Sequence, residues 1–99
     1  MLQVEQIEEG VYILHGRIRD ISDYHELKEL LEKHRQLGKP KILFKIPQAR
    51  EINSLILGYL LKLARKDGFR FHLLIANPYL YEHLHRLGLH VFFELENGS

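Results

Sequence analysis

The chain has 99 residues, of which 45% are hydrophobic and 27% charged, and this composition is typical of a single globular domain. Fourteen Lys and Arg stand against thirteen Asp and Glu, and the net charge of +1 is far from the basic excess of a dedicated nucleic-acid binder. The absence of cysteine excludes disulfides, thiolate catalysis and cysteine-ligated metals. We therefore expect one domain over residues 1–99, with one modest core.

Neither a targeting segment nor a membrane span is visible in the sequence. The opening MLQVEQIEEG has no cationic start followed by an apolar run, which a secretory signal would need. The longest apolar stretch, residues 55–61, is too short to cross a bilayer. The sequence predicts a cytoplasmic protein without direct membrane insertion.

An antiparallel hairpin is predicted at the start of the chain. Leu2, Val4 and Ile7 are interleaved with polar residues, as in a half-exposed strand. Glu8-Glu9-Gly10 turns the chain, and VYILHG follows as a more apolar strand. Two strands joined by a short glycine-containing link favour a hairpin.

From Ser22 the spacing of the apolar residues changes to that of a helix. Ser22 or Asp23 can cap its start, and Glu26 stands three residues after Asp23, the spacing of a capping box. Gly38 supplies a left-handed stop and Pro40 prevents continuation. The apolar face at helical spacing comprises Leu27, Leu30, Leu31, His34 and Leu37.

Strands and helices alternate over the rest of the chain. Residues 41–46 (KILFKI), 70–76 (RFHLLIA) and 90–96 (HVFFELE) predict three strands, and a third helix opens at residues 77–78 (Asn-Pro) and ends at Gly88. The order β-β-α-β-α-β-α-β predicts an α/β fold. In it a mixed sheet, with an antiparallel N-terminal hairpin strand and the remaining strands parallel, packs against about three helices.

The second helix carries the candidate site. Asn53 caps a helix that runs from Ser54 to about Lys66 and stops at Gly68. Projected at 100° per residue, the side expected to pack on the sheet holds Ile56, Leu57, Leu60, Leu63 and Ala64. The opposite side holds Ser54, Gly58, Leu61, Lys62 and Arg65, flanked by Leu55 and Tyr59.

Gly58 is the unusual residue of this helix. Glycine inside a helix costs about 0.5–1 kcal/mol relative to alanine. One interpretation is a clear approach to Ser54, one turn away on the same face; the other is a tolerated glycine on a solvent face or against a neighbouring loop. The apolar groups Leu55, Tyr59 and Leu61 beside it favour a covered, partner-binding patch. A phosphate on Ser54, in the first helical turn, would be tolerated by the fold while adding about −1.5 to −2 charges.

Three segments resemble the STAS domain, the fold of bacterial anti-sigma factor antagonists. VYILHGRI resembles the family's early strand that ends in glycine, and EINSLILGYLLKL resembles its acidic-Ser-Ser-Gly-Leu-Gly segment. LHRLGLHVFFEL resembles its closing Leu-x-x-x-Gly-Leu strand entry, so the resemblance covers nearly the whole chain. It implies a STAS-like single domain.

The resemblance also implies a partner and a switch. Antagonists of this type bind an anti-sigma factor that is a serine kinase, and phosphorylation of one serine breaks the complex. That serine corresponds to Ser54 and a family glycine to Gly58. The expected partner-binding residues are Asn53, Leu55, Gly58, Tyr59, Leu61, Lys62 and Arg65.

The chain departs from the family pattern around this serine. Asn53 replaces the aspartate before the serine, Leu55 and Ile56 replace the second serine and first glycine, and Lys45 stands where an aspartate is common in the preceding strand. Lys45 could instead pair with a phosphate.

Other functions stay open at this stage. The domain could be an unphosphorylated STAS scaffold of a larger signalling or membrane-transport assembly, it could bind a small ligand, and it could self-associate. We expect neither enzyme activity nor a cofactor. The seven histidines lack metal-ligand spacing, since His83 and His85 differ by about 200° around their helix.

Overall fold

The N-terminal hairpin folds as predicted. In the computed structural model, which describes residues 2–98, β1 (Gln3–Glu8) pairs antiparallel with β2 (Val11–His15). The link between them needs Gly10, which has a φ of +78° and where an added Cβ would lie 2.7 Å from the Lys41 carbonyl oxygen. The hairpin is therefore fixed by backbone geometry that only glycine accommodates.

The remaining strands run parallel to β2, in agreement with the predicted mixed sheet. They are β3 (Lys41–Ile46), β4 (Arg70–Ile75) and β5 (Glu94–Asn97), and the sheet order is β1-β2-β3-β4-β5. Each parallel strand lies next to its predecessor in the sequence. Right-handed crossovers that all step in the same direction place their helices on one face of the sheet.

That covered face forms the core. Side chains alternate along the three central strands β2, β3 and β4, so one set points at the helices and is almost inaccessible, with exposures of 5% or less. The set includes Tyr12, Leu14, Ile42, Phe44, Ile46, Phe71, Leu73 and Ile75. The opposite face combines half-buried apolar residues such as Ile13 and Leu74 with polar ones such as Lys45 and His72.

Helix α1 (Ile21–Leu37) begins earlier than predicted. Its N-cap is Asp20, and neither Ser22 nor Asp23 caps it. Asp23 lies in the first turn, where its carboxylate accepts the backbone N–H groups of Arg19 and Asp20 at 3.1 and 2.9 Å. The reciprocal spacing of a capping box is therefore Asp20–Asp23, and the predicted Asp23–Glu26 pair was wrong. The stop at Gly38, with a φ of +67°, is confirmed.

The other two helices agree with the prediction at both ends. Helix α2 covers Ser54–Lys66 after the N-cap Asn53, and helix α3 covers Pro78–Arg86 after the N-cap Asn77. Within residues 2–98, no helix is both long enough and apolar enough to cross a membrane.

The predicted final strand over residues 90–96 is only partly correct. Residues 89–91 form a turn of 3₁₀ helix, and β5 begins at Glu94. The turn brings Leu89 and Phe93, four residues apart, into the core with exposures of 8% and 2%, while Phe92 stays outside. Burial of two residues four apart is typical of a helical turn. In the sequence this turn was masked by the continuous apolar run of residues 91–93, which is also typical of a strand.

Candidate interaction site on helix α2

Helix α2 is amphipathic as its sequence predicts. Ile56, Leu57, Leu60 and Leu63 are buried in the core, whereas Ala64 is half-buried at its edge. The outward side of the helix carries Ser54, Gly58, Lys62 and Arg65, all exposed. The sequence-predicted site residues on this side therefore share one accessible strip along the helix.

The start of α2 is fastened to the loop before α1 by Asn53. Its side-chain oxygen accepts the Leu55 N–H at 2.7 Å, which caps the helix, and its amide nitrogen donates to the Arg19 carbonyl oxygen at 2.7 Å. Its backbone N–H donates to the Ile18 carbonyl oxygen at 3.0 Å. An aspartate could make the cap but could not donate to Arg19, and this explains an amide at the position where the resembled family has a carboxylate.

The Ser54 hydroxyl is accessible and uncommitted. Ser54 is the first residue of the helix and is exposed, and among residues 2–98 its hydroxyl makes no hydrogen bond. The first turn of a helix presents unpaired N–H groups and the positive end of the helix dipole. An added phosphate would therefore meet favourable local electrostatics without displacing a structural contact.

Gly58 leaves open space one turn along the strip. A Cβ built on Gly58 meets no heavy atom within 4 Å, and its φ lies outside the left-handed region. Neither packing nor backbone conformation requires glycine here. The interpretation that Gly58 touches a neighbouring loop is thereby excluded for residues 2–98, and solvent exposure or a docking partner remain.

The three flanking apolar residues are not equally available. Leu55 is 50% exposed, while Tyr59 and Leu61 are half-buried and pack on the edge of the core. The prediction that Leu61 lies on the outward side with Ser54 and Gly58 is therefore only partly correct. Tyr59 leans onto α1: its hydroxyl donates to the Glu32 carboxylate at 3.4 Å and its ring meets the edge of Tyr24 with centroids 5.6 Å apart. Burial, followed by the nearby Glu32 carboxylate, raises the pKa of Tyr59 to about 12. Tyr59 therefore has a structural role and only its outer edge could meet a partner.

The cationic end of the strip continues onto a neighbouring turn. The Arg65 guanidinium lies 5.7 Å from the centre of the Phe92 ring, a cation–π contact, and Phe92 is 44% exposed. Sequence reasoning missed Phe92 as a surface residue because it lay in the predicted final strand. The spacing of the apolar residues Leu89 and Phe93, four apart as in a helical turn, is the sequence signal that could have revealed it.

Lys45, expected as a phosphate contact, lies elsewhere. Its neighbour Ile46 points into the core, so the Lys45 side chain extends from the opposite face of the sheet, where it lines a shallow cavity of about 250 Å³ with His15 and Leu74. Ser54 begins a helix on the covered face. The structure therefore does not bring Lys45 and Ser54 together.

A basic cluster that sequence reasoning did not single out lies beside the start of α2. Arg17 and Arg19 follow β2, and Arg50 lies in the loop between β3 and α2. In the sequence this cluster was indicated only by Arg17 and Arg19, two residues apart after a strand that ends in glycine. That Arg50 lines the same cleft depends on the fold.

The histidines do not converge on a metal centre. Among residues 2–98 no three His, Asp or Glu side chains are grouped to hold a metal ion. The buried His34 is held at both ring nitrogens: the Tyr12 hydroxyl is hydrogen-bonded to Nε2, and Nδ1 donates to the Lys39 carbonyl oxygen at 3.0 Å. His15 and His72 pair with Glu5 and Glu96 on the open face of the sheet.

Comparison with known proteins adds no relative: neither a protein-family model nor a curated protein sequence matches the chain.

Proposed function

We propose that this protein is a cytoplasmic regulatory interaction domain of the STAS type that binds an anti-sigma factor with serine kinase activity. Ser54 would be the phospho-acceptor, and the strip formed by Ser54, Leu55, Gly58, Lys62 and Arg65 would meet the partner. The observation that carries the proposal is the pairing of an unengaged Ser54 hydroxyl with open space at Gly58 one turn along.

The switch follows from charge. The strip carries Lys62 and Arg65 and no carboxylate of its own, so a partner that fits it would present negative charge. A phosphate on Ser54 would add about −1.5 to −2 charges to this strip and repel such a partner, without unfolding the helix that carries it.

We propose no enzyme activity for the domain. Within residues 2–98 no histidine or carboxylate is hydrogen-bonded to Ser54, so the hydroxyl has no base of its own and depends on the partner for phosphate transfer.

A second candidate function is that of an unphosphorylated STAS scaffold in a larger signalling or membrane-transport assembly. Asn53 favours this function, because both polar groups of its side chain make hydrogen bonds within the domain. Asn53 also gives a kinase no carboxylate to recognise beside Ser54. Under this function the same strip would bind a partner permanently.

Phosphate mapping separates the two functions. Wild type, Ser54→Ala and Ser22→Ala would be incubated with extract of the cells that make the protein and ATP, then analysed by mass spectrometry. Ser22 is a matched control, since it is an exposed serine in the first turn of α1. A switch predicts one phosphate on wild type and Ser22→Ala and none on Ser54→Ala. Unphosphorylated wild type, or equal phosphorylation of all three, would favour the scaffold.

A further inference from the structure

The cleft beside the start of α2 is lined by three arginines. It has a volume of about 560 Å³ and lies where β2 and β3 end, between residues 16–19 and residues 48–51. Arg17, Arg19 and Arg50 are exposed, and Gln48 and Glu51 complete the polar lining. The size is within the usual range of small-ligand sites, although the lining is more polar than most.

The cleft holds an excess of positive charge. Glu51 approaches Arg19 at 3.8 Å, but both side chains are at least half exposed, and such surface pairs are weak. Within residues 2–98 no carboxylate lies within 4.0 Å of Arg17 or Arg50. Two guanidinium groups are therefore free to pair with an incoming anion.

Gln48 adds a neutral donor to these cations. Its side-chain oxygen accepts the Gly16 N–H at 2.9 Å, which fixes the orientation of the amide. Its NH₂ group makes no hydrogen bond to any of residues 2–98. An oxyanion in the cleft could accept from this group.

The backbone that carries the arginines is held in place before any ligand arrives. Ile18 is 1% exposed and forms a β-bridge with Ile52. The Arg19 N–H donates to Asp23, which is 2% exposed, and the Arg19 carbonyl oxygen accepts from the Asn53 amide. This loop is therefore already ordered in the folded protein, so binding a ligand here would cost less conformational entropy.

We propose that Arg17, Arg19 and Arg50 form a binding site for a phosphate group. The planar guanidinium group matches phosphate oxygens bidentately, and two or three such groups lining one cleft suit a multiply charged phosphate better than a carboxylate. Ile18, the one apolar residue of the lining, is buried and presents no surface to a nucleobase. The phosphate group itself is therefore what the site recognises, whether it arrives as inorganic diphosphate or as part of a nucleotide.

The test is a titration of the whole chain with inorganic diphosphate, and in parallel with ADP, at constant ionic strength. Calorimetry gives the affinity, and amide NMR locates the site. We expect saturable binding with shifts at Gly16, Ile18 and the Gln48 side chain. Arg17→Gln and Arg50→Gln should each weaken binding by about tenfold or more, as expected when a charge-assisted contact is lost. The matched control Arg86→Gln, an exposed arginine on α3, should bind as wild type does.

The two ligands identify the source of the phosphate. Equal affinity for diphosphate and ADP assigns the site to the phosphate group alone, and tighter ADP binding with the same arginine dependence assigns it to a nucleotide. Absence of saturable binding, or equal losses in Arg17→Gln and Arg86→Gln, would overturn the site. Ser54→Ala should leave the affinity unchanged, so the outcome is independent of the proposed phosphorylation switch.

Discussion

Replacing Gly58 by alanine should make the protein more stable and, under the proposed function, weaken partner binding. The added methyl group enters open space, and the backbone at Gly58 is helical, so alanine brings its full advantage in helix propensity. That advantage is about 0.5–1 kcal/mol in the free energy of unfolding. For a domain of this length it corresponds to a rise of about 2–8 °C in the melting temperature.

The matched control is Gly68→Ala, which adds the same methyl group with the opposite expected sign. A Cβ at Gly68 also meets nothing within 4 Å, but the residue has a φ of +71°. Left-handed backbone costs a residue with a Cβ about 1–2 kcal/mol, which exceeds the gain from a less flexible unfolded chain. Gly68→Ala should therefore lower the free energy of unfolding by about 1 kcal/mol.

Urea and thermal unfolding of the two variants and wild type measure both effects. Destabilisation by Gly58→Ala would refute the conclusion that this position faces open space. A stabilised Gly58→Ala that still binds the partner with wild-type affinity would leave the fold intact but remove Gly58 from the docking surface.

Three further perturbations test the structure around the site. In urea titrations, Asn53→Asp should lower the free energy of unfolding by about 1 kcal/mol, because the hydrogen bond that the Asn53 amide donates to Arg19 is lost. The Asn77 side chain only accepts hydrogen bonds, so Asn77→Asp should be neutral or slightly stabilising. Because folding raises the pKa of Tyr59 to about 12, the Tyr59 phenol stabilises the fold below pH 10, and this stabilisation is lost as the pH rises to about 12. Across that range the free energy of unfolding should fall less steeply with pH in Tyr59→Phe than in wild type. An identical decline in the two proteins would contradict the burial of the phenol. Gly10→Ala should destabilise strongly, by more than 1 kcal/mol, because its Cβ would press on the Lys41 carbonyl; wild-type urea stability would be incompatible with the hairpin geometry.

Local signals account for what the sequence predicted correctly. The inward and outward sides of α2 follow from residue spacing alone, and the caps Asn53 and Asn77 act on N–H groups two or three residues away. The alternation of strands and helices, with glycine stops such as Gly38, likewise determined the order of elements and the mixed sheet.

Two errors, the capping box of α1 and the 3₁₀ turn before β5, are local, whereas the omissions around the site involve partners distant in sequence. The second hydrogen bond of Asn53 reaches Arg19, 34 residues away, and the contact of Arg17 and Arg19 with the loop of Arg50 exists only once β2 and β3 are paired. Lys45 was expected near Ser54 because it stands where the resembled family has an aspartate, but strand alternation turns it to the other face of the sheet. The hydrogen bond of Asn53 and the position of Arg50 depend on tertiary structure, which periodicity does not encode, whereas the face of Lys45 follows from the alternation of its strand.

Capture of the partner by variants that differ in one charge tests the proposed switch most directly. Immobilised wild type, Ser54→Asp and Ser22→Asp would be exposed to extract of the cells that make the protein, and bound proteins quantified by mass spectrometry. We predict that wild type and Ser22→Asp retain the same ATP-binding serine kinase and that Ser54→Asp loses it. Equal retention of that kinase by Ser54→Asp and wild type would contradict a docking surface controlled by charge at the start of α2.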